Sequence, residues 1–203
     1  MRTAFPAILL LPLLLAPGPP SAAQPAAGKF LVASRGLADP NFERSVVLLV
    51  QHGEEGSWGL VVNRPTGVPL SRLFPEEQGL HLRDGILYAG GPVSAGRFLL
   101  LLRASYRPQE CRPVFADVYL GFTPAVLQDP RGIPAFRVYS GYAGWAPGQL
   151  ESEIARGDWR LAPAEVAAVF EERPDRLWEE LARRLDTPVA AGSSGGRIVE
   201  APL

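Results

Sequence analysis

The sequence predicts an α+β domain. Three observations lead there. Short β-branched and apolar runs fill the first two thirds of the 203 residues, amphipathic helical periodicity is confined to the last third, and strands and helices do not alternate as in βαβ folds. The sheet is therefore expected to be mixed and mostly antiparallel. The length suits one domain able to close its own core.

Residues 1–23 precede that domain. Arg2 gives a positive start, Ala4 to Ala16 form a leucine-rich apolar stretch, and "PGPPSAA" ends it with small residues at Ser21 and Ala23. This is the layout of a secretory signal peptide cleaved before Gln24, which would place the mature chain in the periplasm or outside the cell. Pro6, Pro12 and the short apolar length argue against a spanning helix, so no membrane span is expected once the segment is removed. An uncleaved anchor is the alternative.

After the linker "QPAAG" (24–28), "KFLVAS" and "SVVLLVQ" read as strands separated by the loop "RGLADPNFER". "HGEEGS" then turns the chain into "WGLVVN", a hairpin with a six-residue loop. Residues 64–85 read as loop with at most one helical turn at Leu70 to Phe74. "ILYAGG" and "RFLLLLR" are strands joined by "GPVSAG", and the unbroken apolar run at 98–102 suggests a strand covered on both faces. "PVFADVYLG" and "PAFRVYSGY" are further strands, with a helix start in "TPAVLQD", where Thr123 can cap and Pro124 opens the first turn. "PAEVAAVFEE" and "PDRLWEELARRL" are amphipathic helices. The second buries Leu177, Leu181 and Leu185 and spaces Glu179 with Arg183, and Glu180 with Arg184, as surface ion pairs. The glycine-rich segment 186–203 reads as a flexible tail.

Charge narrows the function. The leader contains Arg2 and no acid, so 19 basic and 21 acidic side chains remain, a net charge near −2. Lys29 is the only lysine and the arginines are scattered, so nucleic acid is not the expected partner. Cys111 is the only cysteine, which excludes an internal disulfide and favours a buried thiol. With one cysteine and two histidines, His52 and His81, no protein metal site is expected. No phosphate-binding loop, dinucleotide fingerprint or nucleophile elbow occurs, and no cofactor is implied.

One segment concentrates unusual chemistry: "GYAGWAPGQLESEIARGDW", residues 141–159. Pro147 and Gly157 would bracket a short helix that turns Leu150 and Ile154 to one face and sets Gln149 and Glu153 together at its border. That border is either a polar ledge beside a pocket or a corner in which Trp145 and Trp159 fill the core and Gln149 ties off backbone groups.

"ADPNFERSVVLLVQH", "GSWGLVVNRP", "GGPV", the 141–159 segment and "VFEERPDRLWEEL" together resemble the YqgE/AlgH family of bacterial proteins over roughly residues 29–185. The resemblance implies a compact α+β domain in which a bifurcated sheet partly closes into a small barrel with helices around it. It implies no reaction and no cofactor. Two features differ from the family pattern: the signal-like leader, and "ASYRPQEC" where His-Ser tends to follow the strand. The family blocks fall on Asn63, Arg64, Gly90, Gly91, Trp145, Gln149 and Glu153, which form the candidate ligand pocket, with Arg64 able to pair with Glu153. The expected function is a non-catalytic binding or regulatory module for an unknown protein or small molecule in the cell envelope. The alternatives are an envelope hydrolase with Glu153 as general base and, for a retained cytoplasmic chain, a transcription-linked regulator.

Overall fold

The structure, a computed structural model, describes residues 24–74, 85–123, 126, 132–170 and 173–187. Strands β1 (Lys29–Ala33), β2 (Val46–Gly53) and β3 (Gly56–Val61) form an antiparallel meander whose apolar runs are buried. The β2–β3 hairpin is tighter than the expected six-residue loop: Gly53 pairs with Gly56, so Glu54 and Glu55 alone make the turn. Glycine at 56 permits this, because its φ of 111° would strain any side chain.

The expected loop after residue 63 contains β4 (Pro65–Pro69), which runs directly into the predicted helical turn, α1 (Leu70–Leu73). β4 pairs antiparallel with β5 (Ile86–Ala89) through an irregular register. Its two prolines and its exposure erase the period-2 signal, so only the partner strand reveals it. β6 (Val93–Arg103) begins inside "GPVSAG", the segment expected to be a turn, and bulges between Val93 and Phe98 where Ser94 has φ 52°. "PVFADVYLG" is folded back on itself as β7 (Arg112–Phe115) and β8 (Val118–Gly121), with Ala116 at φ 44° in the turn. Then β9 (Ala135–Trp145) runs on past its expected end at Tyr142.

The last third holds α2 (Gln149–Ala155), β10 (Trp159–Pro163), α3 (Val166–Val169) and α4 (Pro174–Asp186). Gly148 at φ 74° precedes α2 and Gly157 at φ 83° follows it. β10 was not expected: "WRLAP" is short and ends in proline, which an edge strand tolerates, and it pairs along the whole of β1. α3 is shorter than its apolar pattern suggested. In α4 the Leu177, Trp178 and Leu181 side chains are buried, and the Trp178 indole donates to the Ala33 carbonyl at 2.8 Å. Arg184 reaches across to Glu165 at 3.3 Å, so the expected Glu180–Arg184 pair gives way to a link between α3 and α4. Asp186, expected to open the tail, ends α4 and pairs with Arg160 at 2.6 Å and Arg35 at 3.1 Å. His81, most of "TPAVLQD" and residues 188–203 lie outside the described residues.

The strand order is β10-β1-β2-β3-β9-β6-β8-β7, with β5 parallel to β9 and β4 beyond β5. All other pairings are antiparallel. The sheet forks at β9: residues 138–140 pair with β5, while residues 143–145 pair with β3. At the far end β7 curls back, where Arg112 donates to Gln51 of β2 at 2.9 Å and Phe115 packs against Gly28. The result is a curled half-barrel. β6 is covered on both faces, as its unbroken apolar run predicted: Leu99 and Leu101 enter the larger core, Leu100 and Leu102 a second core with Leu70 and Cys111. No helix among the described residues is long and apolar enough to cross a membrane.

Candidate functional site

The 141–159 segment folds as strand, short helix, strand. Two turns of α2 bring the tryptophans on either side of it to one carboxylate. Glu153 Oε2 accepts the Trp145 indole N–H at 2.8 Å and the Trp159 indole N–H at 2.9 Å, while Oε1 accepts the Gln149 amide at 2.9 Å. Gln149 in turn accepts the Ala146 backbone N–H at 3.0 Å, closing the helix entry. Phe42, from the loop before β2, lies parallel to Trp145 at 6.1 Å and edge-on to Trp159 at 5.5 Å. The expected ledge of Gln149 and Glu153 therefore exists, but it faces the indoles. A general base needs a free lone pair beside the substrate proton, and this geometry gives Glu153 no support in that role.

Asn63 and Arg64 act on the same loop from its other side. Asn63 is buried, accepts the Val46 N–H at 2.8 Å and donates to the Arg44 carbonyl at 3.0 Å, so its amide extends the ladder by one rung. Arg64 donates to the carbonyls of Asn41 at 2.5 Å and Glu43 at 2.7 Å. Burial lowers its guanidinium pKa from the ordinary value, and the Asp39 and Glu43 carboxylates oppose that shift. Arg64 is thus occupied with backbone rather than with Glu153, correcting the pairing its sequence position suggested. Five predicted residues are joined through Phe42 and its loop: Asn63 and Arg64 hold the loop, Trp145 packs on Phe42, and Glu153, bonded to Gln149, holds Trp145 in place.

Gly90 and Gly91 lie apart from this corner, at the fork. Gly90 donates to the Ser140 carbonyl and accepts from the Val61 N–H, both at 2.8 Å, and so bridges β9 and β3 where they part. A Cβ on Gly90 would run into the Gly141 carbonyl, and one on Gly91 into the backbone of Tyr142. Beside the fork Arg137, 8 % exposed, stacks on Tyr88 at 4.5 Å and donates to the Val62 carbonyl at 3.3 Å. Burial pushes the Tyr88 and Tyr139 hydroxyls up, against the pull of Arg137.

His52 Nδ1 lies 2.8 Å from Ser57 Oγ, and its Nε2 lies 3.5 Å from Glu151. Serine, imidazole and carboxylate in this order have the outline of a nucleophile with its base. Ser57 is only 6 % exposed, however, and His52 is its cross-strand partner, so the three side chains strap the hairpin to α2.

Two adjoining open spaces border β3, β6 and β9, and this side is termed the mouth of the half-barrel. A cavity of about 220 Å³ is lined by Trp58, Arg97, Leu99, Phe122 and Tyr142. A second, of about 370 Å³, shares Trp58 and Tyr142 and reaches Gln51, Glu55, Val93 and Trp145. Trp58 meets Tyr142 edge-on at 5.7 Å and donates to Gln51 at 3.3 Å.

A family model described as AlgH-like (DUF179) matches residues 30–190. The chain belongs to the AlgH-like family. A UPF0301 protein of Streptomyces coelicolor is 40 % identical over 166 residues, covering 77 % of this chain and 85 % of the relative. A UPF0301 protein of Methylococcus capsulatus is 40 % identical over 169 residues, covering 80 % and 92 %. Among solved structures, a Corynebacterium diphtheriae protein superposes with a TM-score of 0.73 at 26 % identity, covering 82 % of this chain and 90 % of its own. The AlgH protein from Pseudomonas aeruginosa gives 0.65 at 32 % identity, covering 79 % and 89 %. Of the predicted site of this AlgH-like domain, only Trp145 lines a mouth cavity, and Gly91 packs behind Tyr142. Sequence reasoning missed Trp58, Arg97, Phe122 and Tyr142. They come from β3, β6, β9 and the end of β8, and no local spacing unites them. No sequence signal marked them; only the structure shows that, of the three large apolar residues left exposed among the described residues, Val93 at 37 %, Tyr106 at 43 % and Phe122 at 44 %, two border these spaces.

Proposed function

We propose that this protein is a non-catalytic binding or regulatory module of the cell envelope, holding its ligand in the cavities at the mouth of the half-barrel. One observation carries the reading: two adjoining spaces, about 220 and 370 Å³, share the aromatic pair Trp58 and Tyr142. Binding sites favour concave, aromatic-lined spaces with a few polar groups, and barrel mouths are a common place for them. The family motif residues are not the proposed site, since their polar atoms are engaged with one another and with backbone, and only Trp145 borders this space. Placement in the envelope rests on the leader-like residues 1–23.

Affinity capture of the tagged protein from envelope extracts, with its N-terminus read by mass spectrometry, tests both parts. A mature terminus at Gln24 and capture that is lost in Tyr142→Ala support the reading. A terminus at Met1 in the cytoplasmic fraction sinks the export part, and capture unchanged in a folded Tyr142→Ala sinks the mouth as the site.

A further inference from the structure

Among the described residues, the smaller mouth cavity carries a single charge. Trp58, Leu99, Phe122 and Tyr142 supply apolar and aromatic surface, and Arg97 is the one cationic side chain among the described lining residues. Arg97 is exposed and lies 5.9 Å from the Phe122 ring centroid, and no carboxylate pairs with it among the described residues. The other nearby cation, Arg112, is taken up by Gln51, which also accepts the Trp58 indole. Glu55 borders the larger cavity alone.

We infer that this cavity binds a small planar organic acid, with its ring system against Trp58, Tyr142 and Phe122 and its carboxylate on Arg97. The inference rests on the binding reading above and adds the chemistry of the ligand. Size, shape and charge each contribute. A dry cavity of about 150 Å³ is enough for benzene, so about 220 Å³ fits one to two fused rings. Edge and face contacts from three aromatic side chains favour a flat ligand over a branched one. An arginine fork meets a carboxylate through two parallel hydrogen bonds, and beside low-dielectric aromatic walls that pairing gains strength. A cationic ring compound would be repelled by Arg97 and a neutral one would forgo the charge-assisted pair, so the charge favours the acid.

The test titrates 2-naphthoate and its neutral analogue 2-naphthamide into the full chain by calorimetry, and repeats both on Arg97→Gln. Arg97 is exposed, so the variant keeps the fold, which circular dichroism verifies. The expected result is one naphthoate site that weakens by about tenfold or more in Arg97→Gln, with naphthamide binding the parent no better than naphthoate binds the variant. Arg97→Lys should restore only part of the loss, because an ammonium cannot reproduce the fork. Equal binding of acid and amide, unchanged in Arg97→Gln, overturns the organic-acid inference while leaving the mouth as a binding site. Absence of binding by either compound to the folded parent overturns the inference and removes the mouth cavity's support for the binding reading as well.

Discussion

Glu153 receives three hydrogen bonds, two of them from indoles that are almost wholly buried. Removing the carboxylate leaves both indole N–H groups without an acceptor, and an unsatisfied buried donor costs more than the bond itself contributes. Glu153→Ala should therefore lower stability by about 2–3 kcal/mol, read from the denaturant midpoint, and should loosen Phe42 along with the tryptophans. A variant as stable as the parent would show that the clamp is dispensable and reopen Glu153 for chemistry. The sequence already paired Gln149 with Glu153 and suggested that the tryptophans fill core. It could not show which way the pair faces, because both outcomes have the same helical spacing.

The loop between β1 and β2 is the element on which the motif corner depends. Asn63 replaces a ladder rung for Val46 and Arg44, and Arg64 grips the carbonyls of Asn41 and Glu43. Asn63→Ala is expected to cost about 2 kcal/mol and to speed hydrogen exchange at the Val46 amide, while amides in the middle of β9 keep their protection. The same loop reaches α4, where Asp186 ties the helix both to Arg35 of the loop and to Arg160 of β10. Hydrogen bonds from Arg160 and Arg35 hold the Asp186 carboxyl below the usual carboxylate range, even though the group is exposed. A depressed folded pKa stabilises above the unfolded value of about 3.9 and ceases to do so as pH falls through the folded value. Asp186→Asn should thus melt below the parent at neutral pH, and the two curves should converge in acid below about pH 4. Strands with clear alternation or long apolar runs were legible at this scale. β4 and β10 were not, because proline and edge exposure break the pattern that a buried strand would show.

Across the whole molecule, the two cores share β6, whose alternate leucines enter one or the other. Trp145, Trp159 and Trp178 are buried in the larger core, and Trp58 packs against it. Tryptophan fluorescence therefore reports one side of the sheet and circular dichroism reports both. Coincident urea transitions by the two probes are expected if the shared strand makes unfolding two-state, whereas a dichroism change preceding the fluorescence change would mean that the second core melts alone. The fold class and the covered strand could be read from composition and pattern. The mouth could not, since its lining comes from β3, β6, β9 and the end of β8, segments far apart in sequence that become neighbours only in the assembled sheet. That same covered strand has a further consequence. Leu99 to Leu102 is a run of identical side chains, so sliding β6 by one position exchanges leucine for leucine and sets almost no hydrophobic penalty against a misaligned sheet. Alignment must be dictated from the ends, by the Arg103–Asp117 contact at 2.8 Å on one side and the glycine-packed fork at Gly91 and Gly141 on the other. The glycines of the "GGPV" block thus act as a ruler for the neighbouring strand, measuring where its leucines fall.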